Sequence, residues 1–250
     1  MSKTIVVIQA RTGSGRLPGK VLFDLEGKTV LERVIERCQA AKVGQVIVAT
    51  TTSLEDMRIL RICSNMNVPC FCGSENDVLD RFAHCAARYE ADHIVRITAD
   101  CSMIDPKIIK ATVDYYFQPE TMDYCASRMI PTAYPDGMDV EIFNSHVLKL
   151  ADRHARGQRH REHVTTWIKE NSQLIRINLP SDSKFHQSFR FSIDTYQDYK
   201  LAKEIYAYCY KKKHLFGLEE ILEAVGTLKI NIQKDQLIIN YQEGGYADRS

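Results

Sequence analysis

Apolar positions in the first half of the chain alternate between short unbroken runs and stretches with helical spacing. Ile5-Val6-Val7-Ile8 is continuous, the pattern of a strand covered on both faces. Leu31, Val34, Ile35 and Cys38 then recur at i, i+3, i+4 and i+7, one face of a helix, and Thr29 with Glu32 has the spacing of a capping box. The alternation repeats. Val46-Ile47-Val48-Ala49-Thr50 reads as a second strand, followed by a helix to about Met66 with Ser53 and Asp56 as cap candidates. Pro69-Cys70-Phe71-Cys72 is a short third strand, and a helix from about Val78 carries Phe82, Cys85, Ala86 and Tyr89 inward. His93-Ile94-Val95-Arg96-Ile97-Thr98 is the fourth strand, and Asp105 with Pro106 opens another helix.

This βαβα order predicts an α/β fold with a mostly parallel, doubly wound sheet. Ligands in such sheets bind beyond the carboxyl ends of the strands. Residues 11–20, residues 73–81 and Asp100 all fall at those ends.

After Tyr116 the rhythm loosens. Tyr134-Pro135-Asp136-Gly137 is a turn, and residues 139–143 alternate like a half-exposed strand, with Asn144 placed to cap the next helix. Residues 174–178 and 189–193 read as further strands, and a helix from about Tyr196 to Cys209 places Leu201, Ile205 and Tyr208 on one face. No internal repeat or linker divides the chain. The expectation is one domain over residues 1–250 with an inserted arm at 120–180.

Composition narrows the class. Thirty-three Lys and Arg against 32 Asp and Glu leave a formal charge of +1, which argues against general nucleic-acid binding. The first apolar run is too short for a signal peptide or a membrane span, so no membrane partner is expected. Eight cysteines include no C-x-x-C pair and read as reduced thiols of a cytoplasmic protein.

The chemistry concentrates after the first strand, in Arg11-Thr12-Gly13-Ser14-Gly15-Arg16-Leu17-Pro18-Gly19-Lys20. Small residues let backbone N–H groups approach phosphate oxygens, and three cations balance their charge. Arg11 and Arg16 offer planar forks, and Lys20 a compact charge able to follow an α-phosphate into the transition state. The spacing is neither that of the common P-loop nor G-x-G-x-x-G. A solvated basic loop is the competing reading. Asp100, ending the fourth strand, is placed to hold Mg²⁺ against a triphosphate. Asp105 already serves as the nearby helix cap. Asp194 ends another apolar stretch and is read either as a second metal ligand or as a cap. Asp136, Asp139 and Glu141 are an acidic group suited to sugar hydroxyls or a second metal, or else a solvated edge strand. Arg161, Glu162 and His163 lie in a basic segment read as acceptor recognition, part of a partner subunit's site, or an ordinary charged helix face. With Arg190, they suggest a small polar, anionic acceptor.

Taken together, Ile8-Gln9-Ala10-Arg11 through Leu22, Asn76-Asp77-Val78-Leu79-Asp80-Arg81-Phe82, Arg96-Ile97-Thr98-Ala99-Asp100-Cys101, Tyr134 through Glu141, Arg161-Glu162-His163-Val164-Thr165 and Ser192-Ile193-Asp194-Thr195 with Asp198 resemble a known family. It is the cytidylyltransferase family that includes spore coat polysaccharide biosynthesis protein F. More distantly, the segments look like the enzymes that make CMP-activated acidic sugars, the 3-deoxy-manno-octulosonate and acylneuraminate cytidylyltransferases. The resemblance implies a nucleotide-diphospho-sugar transferase (GT-A-like) fold that binds CTP and Mg²⁺. It implies that Asp100 and Asp194 hold the metal, and that Arg11, Arg16 and Lys20 contact phosphates, with Gly13 and Ser14 in the same loop. It places Gln9, Ala10, Ser74, Asp77, Arg81 and Thr98 around the nucleotide, and implies a homodimer. Ser102, and Tyr196-Gln197, stand where such families commonly carry proline and Pro-Glu, with the carboxylates unchanged. The expected reaction transfers CMP from CTP to a sugar or sugar phosphate, releasing pyrophosphate, in surface polysaccharide or glycan synthesis. The alternatives are a glycosyltransferase of similar fold, which often carries an Asp-x-Asp motif absent after this fourth strand, and a non-catalytic nucleotide-binding module.

Overall fold

A computed structural model describes residues 2–118, 122–129, 134–180 and 189–228. Within these residues the chain begins with β1 (Thr4–Gln9), whose central positions are fully buried, and a single 3₁₀ turn at Lys20–Leu22. A small hairpin of β2 (Asp24–Leu25) and β3 (Lys28–Thr29) leads into α1 (Val30–Ala41). Thr29 and Glu32 form the expected capping box, each satisfying a backbone N–H of the other's segment. β4 (Gln45–Thr51), α2 (Met57–Asn65), β5 (Cys70–Gly73), α3 (Val78–Arg88), β6 (His93–Thr98) and α4 (Pro106–Tyr116) complete the alternating half. β7 (Tyr124–Ala126), β8 (Glu141–Asn144), α5 (Ser145–His154), α6 (Gln158–Glu162), α7 (Thr166–Glu170), β9 (Arg176–Asn178), α8 (Tyr196–Cys209) and α9 (Leu218–Thr227) follow.

The central sheet has the order β5-β4-β1-β6-β8-β7-β9. Its pairings are parallel except where β8 lies between β6 and β7. Side chains of β1 divide between the two faces, as a pleat requires. Val6 and Ile8 pack with α1, α2, α4, α8 and α9, while Ile5 and Val7 pack with α3, α5 and α7. Both faces are therefore covered, the doubly wound arrangement expected from the alternating pattern.

The later half departs from expectation in detail. The pattern predicts an inserted arm at 120–180; the strands it contains, β7, β8 and β9, extend the central sheet itself. Residues 120–121 and 130–133 of that segment lie outside the described residues. The alternating stretch at 139–143 becomes a strand only from Glu141, and the stretch at 174–178 only from Arg176. Residues 189–193 are not a strand; they make one isolated bridge, Arg190 to Asp136. Gly137 explains why the two segments touch there. Its φ is +94°, and a Cβ would stand 2.7 Å from the backbone of Phe191 and Ser192. Only glycine lets the chains approach so closely.

One topological fact positions the site. From β1 the chain moves outward to β4 and β5, then returns to place β6 on the other side of β1. Strands β1 and β6 are parallel neighbours, so the segments that leave them start side by side beyond paired Gln9 and Thr98, at the carboxyl end of the sheet.

Candidate active site

The loop that leaves β1 is shaped from within. The carbonyl of Thr12 accepts hydrogen bonds from the amides of Ser14 and Gly19, each at 2.8 Å, folding residues 12–19 back on themselves. Asp56 secures this loop to the sheet. Its Oδ1 accepts from the Thr12 amide at 2.8 Å and the Thr12 hydroxyl at 2.7 Å, while Oδ2 accepts from the hydroxyls of Thr50 and Thr51 at 3.1 and 2.5 Å. Burial works to raise the Asp56 carboxyl, but the bonds from Thr51, Thr12 and Thr50 outweigh it and hold the pKa below its usual value. Asp56 thus anchors the loop instead of capping α2; neither it nor Ser53 makes a side-chain cap. The sequence signal was present as an acid followed back by Thr50-Thr51, but its partner Thr12 is 44 residues away.

Gly19, with φ +73°, turns the loop into the 3₁₀ turn that delivers Lys20. Lys20 Nζ lies 2.7 Å from Asp100 Oδ2, 2.9 Å from Asp194 Oδ1 and 2.7 Å from the carbonyl oxygen of Ile193. Burial works to lower the Lys20 pKa, and the two carboxylates raise it further, for a net shift upward. Asp100 is held below the usual carboxylate range because Lys20 outweighs its burial. A backbone bond of 3.0 Å from the Ile193 amide to the Asp100 carbonyl fixes the two acids side by side.

Asp194 does not cap α8. Thr195 does so, in a capping box with Asp198, which leaves the Asp194 carboxylate free to face the loop. Asp194 is also paired with Arg16 Nη2 at 3.0 Å and with Arg190. Arg190 reaches Asp198 at 3.4 Å as well, so this acceptor candidate lies against the acid pair.

Arg11 is half-buried, and its charge bears on Arg81. Arg81 is only 1% exposed, yet its Nε and Nη1 have no hydrogen-bond partner. Burial first, and then Arg11, push its pKa down to about 10. A buried guanidinium with unmet donors is costly, and it is the donor set that an anionic or carbonyl-rich ligand satisfies.

The remaining candidates divide. Gln9 accepts from Arg96 Nη2 at 3.1 Å, buried Ala10 donates its amide to Ala49, and Thr98 bonds the thiol of Cys101 at 3.2 Å. Gly13 is exposed and Ser14 half-buried. Ser74 and Asp77 build the start of α3: Asp77 accepts from the Asp80 amide at 2.9 Å, and Ser74 Oγ accepts from the Asp77 amide at 3.1 Å. Arg161 donates to Asp77 at 2.7 Å and to the Asp152 carboxylate at 2.8 Å, tying α6 to α3 within the chain. Glu162 and His163 are exposed beyond it.

The acidic group splits. Asp139 accepts from the Gly137 amide at 2.8 Å and pairs with Arg128 at 3.3 Å, while Asp136 faces the same Arg128 at 3.6 Å. Burial, then the neighbouring Asp136, push the Asp139 pKa up to about 6. Glu141 points elsewhere, into a buried network with Arg96, Tyr124 at 2.6 Å, Thr165 at 2.8 Å and Lys169 at 2.7 Å. Those cations outweigh burial and hold it far below the carboxylate range. β8 is an interior strand, so the exposed-edge reading does not apply. Tyr124 and Lys169 lie outside every motif, and nothing in the segment ending at Thr165 linked it to Glu141.

Among the described residues, no three His, Cys, Asp or Glu side chains form a metal-binding group. Asp100 and Asp194 nevertheless fit a hard divalent cation. They already hold a positive charge between them, offer only oxygen, and leave most of a coordination shell to phosphates and water.

Comparisons with known proteins establish the family. The sequence profile described as cytidylyltransferase matches residues 5–225. An uncharacterised protein of Methanocaldococcus jannaschii is 38% identical over 250 residues, covering 98% of both chains. The spore coat polysaccharide biosynthesis protein SpsF of Bacillus subtilis is 30% identical over 214 residues, 82% of this chain and 87% of its own. Among solved structures, a cytidylyltransferase from Leptospira borgpetersenii superposes with a TM-score of 0.86 at 30% identity, covering 93% of this chain and 98% of the other. Among the described residues no helix is long and apolar enough to cross a membrane. The chain is a nucleotidyltransferase and belongs to the cytidylyltransferase family.

Proposed function

We propose that this protein transfers CMP from CTP to a small sugar or sugar-phosphate acceptor, with Mg²⁺ as the metal and pyrophosphate as the second product. The observation that carries the reading is the meeting of Lys20, Asp100 and Asp194 beyond the carboxyl ends of β1 and β6. A polyanion bound there is met by Arg16 of the loop, and Arg11 with nearby buried Arg81 adds further positive charge.

In this reading the residues work by positioning and charge, as phosphoryl-type transfers require, and no covalent nucleophile is needed. The loop fixed by Asp56 holds the triphosphate with its α-phosphorus facing the acceptor side. Lys20 and Arg16 offset charge on the α-phosphate and leaving oxygens. Asp100 and Asp194 would hold the cation, which when bound withdraws charge from the phosphate oxygens. Asp136 and Asp139, across the bridge from Arg190, flank the acceptor side and suit sugar hydroxyls. The relation to SpsF supports a role in surface polysaccharide synthesis. Glu162 and His163, exposed beyond the anchored Arg161, are the residues of that segment open to an acceptor or a second copy.

A pyrophosphate-release screen tests the reading. Four nucleoside triphosphates are offered with Mg²⁺ against acidic sugars and sugar phosphates. Release dependent on CTP and on one acceptor class is the expected result. Acceptor-dependent release of a nucleoside diphosphate from a nucleotide sugar, without pyrophosphate from CTP, would replace it with glycosyl transfer.

A further inference from the structure

The ammonium of Lys20 has no donor to spare. An ammonium carries three N–H donors, and Asp100, Asp194 and the Ile193 carbonyl take all three at 2.7, 2.9 and 2.7 Å. The side chain is 10% exposed, against 25% and 19% for its two acids. The wider cluster is also balanced in charge. Arg16, Lys20 and Arg190 stand against Asp100, Asp194 and Asp198, three positive against three negative.

Two demands of the proposed reaction conflict with that arrangement. A divalent cation on Asp100 and Asp194 needs the oxygens that Lys20 occupies. A phosphate oxygen on Lys20 needs a proton already donated to protein. A free divalent cation would add two uncompensated charges to a neutral, partly buried cluster, where repulsion is poorly screened. A triphosphate brings the missing negative charge and a new acceptor for the ammonium.

We propose that Lys20 is a built-in competitor of the divalent cation: it keeps the Asp100–Asp194 pair closed to metal until a triphosphate draws its ammonium away, so that metal binding depends on nucleotide binding. The inference rests on the reading of Asp100 and Asp194 as the metal pair. It gives Lys20 two successive partners, the acids in the free protein and the phosphate in the complex. It also gives the free protein a means of ignoring the divalent cations around it.

Mn²⁺ binding to the full-length chain tests this without turnover, by the loss of the free-ion electron paramagnetic resonance signal. The samples are wild type, Lys20→Met and Lys20→Arg, each without nucleotide, and wild type with the non-hydrolysable α,β-methylene analogue of CTP. Without nucleotide, Lys20→Met is expected to bind Mn²⁺ at least tenfold more tightly than wild type. Lys20→Arg, which keeps the cation, should stay as weak as wild type. The analogue should raise wild-type affinity at least tenfold beyond the Mn²⁺ that the analogue binds in a protein-free blank, and adding Asp100→Asn to Lys20→Met should abolish the gain. Circular dichroism establishes that each variant is folded. Equal Mn²⁺ affinity in wild type and Lys20→Met, or in Lys20→Arg and Lys20→Met, overturns the proposal. If Lys20→Met gains Mn²⁺ while wild type binds no cytidine nucleotide, the competition stands and the assigned reaction falls.

Discussion

Asp56 holds Thr12 by both of that residue's donors, the amide at 2.8 Å and the hydroxyl at 2.7 Å, and so joins the loop after β1 to the end of β4. The acid is 1% exposed. Removing it leaves the donors of Thr12, Thr50 and Thr51 buried without an acceptor. Asp56→Ala is expected to cost about 2–3 kcal/mol of stability, the range for buried bonds to a charged group. It should also weaken nucleotide binding more than Asp56→Asn, which keeps one acceptor. Denaturant melts and CTP titrations of both variants check this. The pH dependence has a definite sign. The folded pKa of Asp56 lies below its unfolded value, so its contribution is present above the unfolded pKa and is lost as pH falls through the folded one. Asp56→Asn should flatten the acid limb of the stability curve.

Arg81 should show function and stability opposed. Its Nε and Nη1 are buried without partners in the free protein. Arg81→Met keeps the length and apolar stem while removing the unmet donors, so the variant should melt no lower than wild type. Its affinity for CTP should fall at least tenfold, the worth of about 1.4 kcal/mol. Calorimetric titration beside a thermal melt separates the two effects. A large loss of stability with unchanged affinity would make Arg81 a scaffold residue.

Glu141 should behave as a structural charge. It serves Arg96 and Lys169 together at 7% exposure of its side chain, with Arg96 at 14%. Glu141→Gln leaves Arg96 without its carboxylate while the more exposed Lys169 can turn to water, and breaking such a largely buried pair costs about 3–5 kcal/mol. Adding Lys169→Met should recover part of the loss. A double-mutant melting cycle measures the coupling.

Asp139 should titrate near pH 6, where burial and then Asp136 have placed it. For an acid whose folded pKa is raised, the folded state binds more protons between the unfolded and folded values. Its contribution to stability therefore declines as pH rises from about 4 to about 6, then levels off. Asp139→Asn should remove that decline, which carbonyl-region NMR and pH-dependent melts both read.

The alternating half of this fold was legible because local and long-range preferences coincide there. The unbroken run at 5–8, the Thr29–Glu32 box and Asp105-Pro106 each specify one element without help. The loop cations and Asp100 were legible because a strand end fixes where they stand. Asp56 was misread as a cap because its decisive partner is distant in sequence and chemically ordinary. Glu141 looked like Asp139 in the alternating stretch. The strand starts only at Glu141, and Arg96 and Lys169 hold its carboxylate in a network apart from Asp136 and Asp139. Residues 189–193 looked like a strand because apolar alternation does not reveal whether a pairing partner is present. Here Gly137 brings one bridge only.

Lys20 bonds partners 80 and 174 positions further along the chain. Contacts of that span close late, after shorter-range structure has formed. A nascent or clipped chain ending before Asp194 would hold the loop and the first acid but no working charge cluster. Nucleotide would then stabilise only the finished molecule, and substrate supply would favour completed copies over partly folded ones.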